Sequence, residues 1–418
     1  MVTWDPYLAS IRNTYAQWWR DYTVTDVEDR KRKQQQTPML FNFDPMVETI
    51  KLQQPETDQN REETEGLPVL EGLRKYAVDH VLLVGRPGSG KSTALVQLLA
   101  DEGIQGRIPV LVELRYYQTS VLDLVRNFLK RHGVLLDSTE IERLLFEGQF
   151  WLLIDGVNEL PSEAARLDLT QFRQNHQKTT PMIFTTRDLG VGGDLGIQKK
   201  LQMQPLSAAQ MSEFVRKYLP QQGEQMLKQL GDRLREFGQT PLLLMMLCDL
   251  FKSVGKIPSN LGLVFRLFTQ SYSKQIKQDV KVSDNKSRKF WPELLQQLGF
   301  VMTKGDNPDK PEEISVAILK TKAEEILTNY LLKKAVVNPN VCAKTWLDDL
   351  LNHHLIQQSG DLIEFRHQLL QEYYTAEYLL KQLPRISAQE LQQNYLNYFK
   401  WTEPLVLMLQ LIITWDTA

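Results

Sequence analysis

Residues 81–95 read VLLVGRPGSGKSTAL, and this stretch limits the fold more than any other. Val81-Leu82-Leu83-Val84 has the pattern of a strand buried on both faces. Gly85-Arg86-Pro87-Gly88-Ser89-Gly90-Lys91-Ser92 follows and fits G-x-x-x-x-G-K-[ST]. Thr93-Ala94-Leu95-Val96 then opens a helix. The glycines let backbone N–H groups curl round phosphate oxygens. Lys91 can reach β- and γ-phosphates, and Ser92 offers a hydroxyl to Mg2+. The helix N-terminus adds a dipole that favours an anion. A chance glycine-rich turn would not come with a strand before it and a helix after it. Residues Gly85 to Thr93 are therefore candidate nucleotide-binding residues.

A phosphate loop of this kind needs a second, acidic site for the metal. Trp151-Leu152-Leu153-Ile154-Asp155 is an apolar strand ending in a carboxylate. In an open parallel sheet that end lies beside the phosphate loop. Asp155 thus joins Ser92 as a candidate Mg2+ ligand. Glu159 sits where a carboxylate can polarise an attacking water. The next strand, Pro181-Met182-Ile183-Phe184-Thr185-Thr186-Arg187, aims Thr186 or Arg187 at the γ-phosphate, where a cation senses or neutralises charge. Lys91, Glu159 and Arg187 form the candidate catalytic set. The bland readings are a turn-capping Asp155 and a surface Arg187. There is no Asn-Lys-x-Asp element to read guanine, which favours adenine.

Between 79 and 205, strand and helix patterns alternate. Strands are expected at 80–85, 108–114, 150–155, 181–186 and 201–204, and helices at 91–102, 121–131, 139–147 and 162–176. Near-continuous apolar strands between helices predict a parallel sheet covered on both faces. A short amphipathic helix, Leu67–Tyr76, precedes it. Residues 1–34 read as helical, with Tyr7, Ile11, Tyr15, Trp18 and Trp19 on one face, and 53–65 read as a polar linker. After 206 the pattern turns helical, at 207–218, 223–237, an apolar helix from Pro241, 261–279, 288–303, 313–333 and 344–352. HLIQQ and DLIEFR then flank a Ser359-Gly360 turn and predict a hairpin. Helices followed by a hairpin suggest a winged helix. The expected division is 1–66, an N-terminal helical segment and linker; 67–205, an α/β P-loop domain; 206–285, a helical domain; 286–383, a winged-helix domain; and 384–418, the start of a C-terminal helical region.

Composition excludes several classes. With 418 residues the chain has room for two to four domains. A net charge of −2 argues against a dominant nucleic-acid footprint, and Arg30-Lys31-Arg32-Lys33 reads as a solvated helix end. Cys248 and Cys342 make no disulfide framework, which fits a reducing cytoplasm. No Cys/His cluster has zinc spacing, and His353-His354 reads as a surface or turn pair. There is no signal-peptide h-region, and no segment reaches the roughly 18 apolar residues of a membrane span.

GRPGSGKST, FWLLIDGVNEL, PMIFTTR, QTPLLLMMLC and EFRHQLLQEYYTAEYL, in this order, resemble the NACHT module of STAND signalling ATPases. The resemblance covers roughly 70–383, and its texture is similar to bacterial, cyanobacterial-type members. It implies that Pro241 packs beside adenine and ribose. It also implies that His367 contacts the β-phosphate of bound ADP from the winged helix, and that Arg187 is the first sensor arginine. A lone His after a strand is usually structural, so the role of His367 rests on the resemblance. The family usually carries an Asp where this chain has Asn158. Glu159 is then the only nearby general base, and slow hydrolysis is expected.

The resulting expectation is an ATP/ADP switch requiring Mg2+. ADP would hold the arms together. ATP would release them and permit self-oligomerisation in answer to a protein or pathogen trigger, in a bacterium a phage or another stress. The alternatives are a constitutive P-loop ATPase, AAA-like or acting on nucleic acid, and a nucleotide-dependent scaffold that never turns over. WLDDLLNHH, before the hairpin, is acidic and argues against DNA. Residues 400–415 carry Trp401, Leu405, Met408, Leu409, Ile412 and Trp415 on overlapping faces. A helix apolar nearly all round is expected to seek a further repeat or a partner.

Overall fold

The computed structural model describes residues 3–15, 45–49, 66–76, 80–100, 106–187, 195–231, 240–279, 286–305, 311–353 and 355–412. Trp18, Trp19, the basic run at 30–33, the linker at 53–65 and Trp415 lie outside the described residues. The chain forms two compact units.

The first unit comprises Met1–Tyr22, Pro38–Phe214 and Gly238–Leu243. Its centre is a seven-stranded sheet in the order β2-β1-β7-β3-β6-β5-β4. The strands are β1 (Met46–Thr49), β2 (Gly66–Pro68), β3 (Val81–Val84), β4 (Ile108–Glu113), β5 (Phe150–Asp155), β6 (Met182–Thr186) and β7 (Lys199–Met203). Strands β7, β3, β6, β5 and β4 run parallel, while β1 joins β7 and β2 joins β1 antiparallel. Strand β7, KKLQM, is only partly buried, whereas β3 to β6 are mostly apolar because helices cover the sheet. These are α2 (Val69–Tyr76), α3 (Lys91–Ala100), α4 (Val121–Arg131), α5 (Ser138–Phe146) and α6 (Glu163–His176). Local signals end them cleanly. Ser120 caps α4 through the Asp123 N–H. Asp137 and Glu140 form a reciprocal capping box on α5. Ser162 caps α6.

The N-terminal helix α1 (Asp5–Tyr15) covers the edge strand. Tyr7 and Ile11 are fully buried, and the Tyr7 hydroxyl donates to Pro109 O at 2.7 Å. Pro109 fits β4 because the strand is at the sheet edge, where a missing N–H costs no ladder bond. Two of the seven strands are additions to the predicted sheet. Residues 46–49 lie in the expected N-terminal helical segment and linker, and 66–68 span its end and the start of the expected helix Leu67–Tyr76, yet both extend the sheet antiparallel.

The second unit comprises Thr23–Thr37, Val215–Phe237 and Leu244–Ala418. Helix α7 (Ala208–Tyr218) leads into it, followed by α8 (Gly223–Leu230), α9 (Pro241–Val254), α10 (Leu261–Asp279) and α11 (Ser287–Lys304). The stretch expected to be helical at 313–333 divides: Ala317–Leu319 is strand β8, and only Lys320–Lys333 forms helix α12. After α13 (Pro339–His353), strands β9 (Ile356–Ser359) and β10 (Leu362–Phe365) form the expected hairpin. Strand β8 pairs with β10, making three antiparallel strands in the order β8-β10-β9. Gly360, at φ +59°, supplies the left-handed turn.

Helix α14 (Gln368–Gln382) is the core of this unit. It crosses α11 at Gly299, where an added Cβ would meet Gln371 O at 3.0 Å. The expected C-terminal helical region begins with short turns between Leu383 and Trp401, of which only Ala388–Leu391 is α-helical. The last helix, α15 (Thr402–Ile412), packs Leu407, Met408 and Leu411 inward. Asn260 Nδ2 donates to Gln410 O at 2.9 Å, and Gln410 Oε1 accepts from the Gly262 N–H. The helix is therefore docked along one face, while Val406 and Leu409 on its other face are exposed.

Candidate functional site

Four chain segments leave the carboxyl end of the parallel sheet. They are the glycine-rich loop after β3, Arg115 after β4, Gly156–Glu159 after β5, and Arg187 after β6. That shared end follows from parallel strands, since each crossover returns the chain to the amino end of the sheet before the next strand begins.

The loop can take only this sequence pattern. A Cβ on Gly85 would stand 2.7 Å from Met203 Cβ on β7. Gly88 and Gly90 have φ of +75° and +97°, where other residues are strained. A Cβ on Gly88 would also meet Leu242 Cβ at 2.8 Å. This second restriction comes from the start of α9. Pro241 is buried at its first position, where no N–H is needed, and the Leu242 N–H points at Gly88 O, 3.4 Å away. Leu242, the residue after Pro241, is thus brought against the loop, 157 residues beyond its first glycine by numbering but adjacent in space.

Within the loop, Lys91 Nζ donates to Gly85 O at 2.7 Å and to Arg86 O at 3.1 Å. The cation is held across the mouth of the loop by carbonyl dipoles. Ser92 is exposed at the start of α3. Ser89 is 7% exposed, and its Oγ is buried without a hydrogen-bond partner. An orphaned hydroxyl in a glycine-rich loop suits a ligand rich in acceptors.

Strand β6 lies between the loop strand and the acidic strand. The Gly85 N–H donates to Thr186 O at 3.2 Å. Thr185 Oγ1 accepts from the Gly156 N–H at 2.9 Å and donates to Asp155 Oδ1 at 2.5 Å. Asp155 is 6% exposed. One of its oxygens is therefore committed to Thr185, and Oδ2 is the one left to face the site. Among the described residues no group of three or more His, Cys, Asp and Glu could hold a metal ion. Mg2+ favours one or two carboxylates completed by phosphate oxygens and water. A carboxylate at Asp155, a hydroxyl at Ser92 and the loop amides make a donor set suited to Mg2+ and a polyphosphate.

Asn158 has a structural task. Its Oδ1 accepts from the Arg187 N–H at 3.2 Å, tying the turn after β5 to the end of β6. Glu159 folds back over Gly156, whose φ of +83° leaves no room for a side chain. A Cβ there would stand 2.7 Å from Glu159 Oε2.

The residue that the motifs missed is Arg115. It lies in the tight turn Leu114–Tyr116. Its Nε is 3.1 Å from Glu159 Oε2, and its Nη2 is 3.5 Å from Glu159 Oε1 and 4.0 Å from Asp155 Oδ2. The available signal was position: a cation directly after an apolar strand of the parallel set. His367 belongs to the second unit, half-buried at the residue before α14, with its carbonyl accepting from the Leu370 N–H at 2.9 Å.

Residues 79–222 match the family model of the NACHT domain. No curated protein matches the chain. Among solved structures, a Walker-type ATPase of Pyrococcus abyssi is 14% identical at a TM-score of 0.36, covering 73% of this chain and 93% of its own. A Signal Transduction ATPase with Numerous Domains (STAND) protein from Pyrococcus horikoshii, with a tetratricopeptide repeat sensor, is 14% identical at a TM-score of 0.34. That match covers 77% of this chain and 45% of the other. Drosophila ORC bound to DNA is 10% identical at a TM-score of 0.33, covering 84% and 99%.

Proposed function

We propose, from the NACHT domain carried at residues 79–222, that this chain is an ATP- and ADP-binding switch of the STAND kind, with slow Mg2+-dependent hydrolysis as its timer. The observation that carries the reading is the convergence on one sheet end of the loop amides, Lys91, Asp155 and Arg187, with Leu242, next to Pro241, closing on Gly88.

The residues of this chain divide the work. The loop amides and Lys91 bind phosphate, and Lys91 exchanges its two carbonyl partners for phosphate oxygens. Ser92 and Asp155 Oδ2 hold the metal, which neutralises phosphate charge when bound. Glu159 is the candidate base for water, and Arg187 the cation facing the terminal phosphate. Pro241 and Leu242 shape the wall on which a base and ribose can lie. His367 carries the latch to bound ADP. The three antiparallel strands and the helices before them support a winged-helix reading of 286–383. The boundaries at 66, 205, 285 and 383 follow that division.

A switch requires that the two nucleotides differ in affinity for its two states. ADP favours the closed state through His367, and ATP favours an open, self-associating one. The trigger would be a protein or pathogen component, and the setting a bacterial cytoplasm. Among the described residues no helix is long and apolar enough to cross a membrane. The test is the nucleotide released from denatured purified protein, together with turnover and scattering radius in ADP and ATP. Bound ADP, slow turnover and expansion with ATP support the switch. Rapid turnover without a change in size supports a constitutive ATPase instead.

A further inference from the structure

We infer that Arg115 is a built-in counter-ion that competes with the divalent cation for Asp155 and so sets the metal concentration at which the nucleotide site fills. The inference rests on the reading of Asp155 as the metal carboxylate.

The geometry supplies the competition. The Asp155 and Glu159 side chains are 8% and 13% exposed, and the guanidinium of Arg115 stands against both. Two poorly solvated carboxylates beside one another repel, and a cation placed between them offsets that repulsion. The Thr185 hydroxyl accepts from the Gly156 N–H and gives its own proton to Asp155 Oδ1. Oδ2 is then the oxygen open to a metal. It is also the oxygen that Arg115 faces, at 4.0 Å. A single oxygen is thus claimed by a fixed positive charge and by an incoming one.

Arg115 is better held at Glu159 than at Asp155. The 3.1 Å contact from Nε fixes the guanidinium near Glu159, while the longer contact to Asp155 is a looser, charge-only approach. The guanidinium therefore acts on Asp155 as a positive field that must be overcome or turned aside before Oδ2 can ligate a cation. Arg115 is a positioning residue here: it touches the two carboxylates, and through them it tunes metal affinity.

The test uses the full chain and a metal readout. Mn2+ is titrated by electron paramagnetic resonance at fixed ATP, and ATP affinity is measured by calorimetry with and without metal. Arg115→Gln keeps hydrogen-bonding capacity and removes the charge. It should lower the half-saturating Mn2+ concentration by at least about threefold, a modest value for a partly exposed charge. Metal-free ATP affinity should change by less than about twofold. Arg115→Lys should keep the parental threshold, and Arg115→Met should repeat the effect of Arg115→Gln if the latter unfolds. An unchanged or raised threshold in both neutral variants, with the parent metal-dependent, overturns this inference alone. A parent whose ATP affinity ignores metal overturns the metal reading of Asp155 and this inference with it.

Discussion

The Thr185 hydroxyl donates to Asp155 Oδ1 across the neighbouring strands β6 and β5, with the two oxygens 2.5 Å apart. The same hydroxyl accepts from the Gly156 N–H, so one buried group orients the acidic strand end and the turn that follows it. Thr185→Val keeps the shape and leaves two polar atoms unsatisfied. It is predicted to cost about 2 kcal/mol of stability and to weaken the metal dependence of nucleotide binding. Thr185→Ser should restore both. Denaturant melts and calorimetry check this, and a Val variant with parental metal response would show that Asp155 needs no such partner.

Lys91→Ala removes the cation that spans Gly85 O and Arg86 O. ATP affinity should fall about ten- to a hundredfold, the value of a charged hydrogen bond or two. Asp155→Ala should retain metal-free nucleotide binding and lose the Mg2+ response. Calorimetry with unchanged affinity and unchanged Mg2+ response in both variants would sink the site assignment.

Glu159→Gln should slow hydrolysis while leaving ATP bound, because the amide keeps the shape and removes the base. Turnover of the parent should lie well below the enzyme median of about 10 s⁻¹. Parental turnover at or above that median, or a Gln variant as fast as the parent, would remove Glu159 from the role of base.

His367→Ala should weaken ADP more than ATP and shift the population toward the expanded form, since a ligand moves an equilibrium only by its differential affinity. Equal losses for both nucleotides and an unchanged scattering radius would leave His367 as the residue that starts α14 and nothing more.

Arg266 makes a bidentate pair with Glu377, at 2.7 and 3.0 Å, and the Tyr373 hydroxyl donates to Glu377 Oε1 at 2.9 Å. Removing one side strands a charge with little solvent. Arg266→Ala should destabilise the second unit by about 3–5 kcal/mol. The double variant Arg266→Met with Glu377→Leu should recover most of that loss. A single variant within 1 kcal/mol of the parent in urea unfolding, a size ordinary at the surface, would mean the pair is screened.

Local chemistry determined much of this protein. Strands β3 to β6 are legible because a strand buried on both faces must be apolar almost throughout. Helix α4 runs from Val121 to Arg131, as its period and the Ser120 cap imply. The loop from Gly85 to Ser92 and the acidic end of β5 are legible because backbone curvature and phosphate chemistry admit few residues. Strands β1, β2 and β8 could be decided only by tertiary structure. They are three or four residues long, too short to show a period, and their partners lie far along the chain. The meeting of Arg115 with Glu159, and of Leu242 with Gly88, was hidden for the same reason. No local pattern records which side chains share one end of a sheet, because that depends on strand order, and strand order is set by packing across the whole unit.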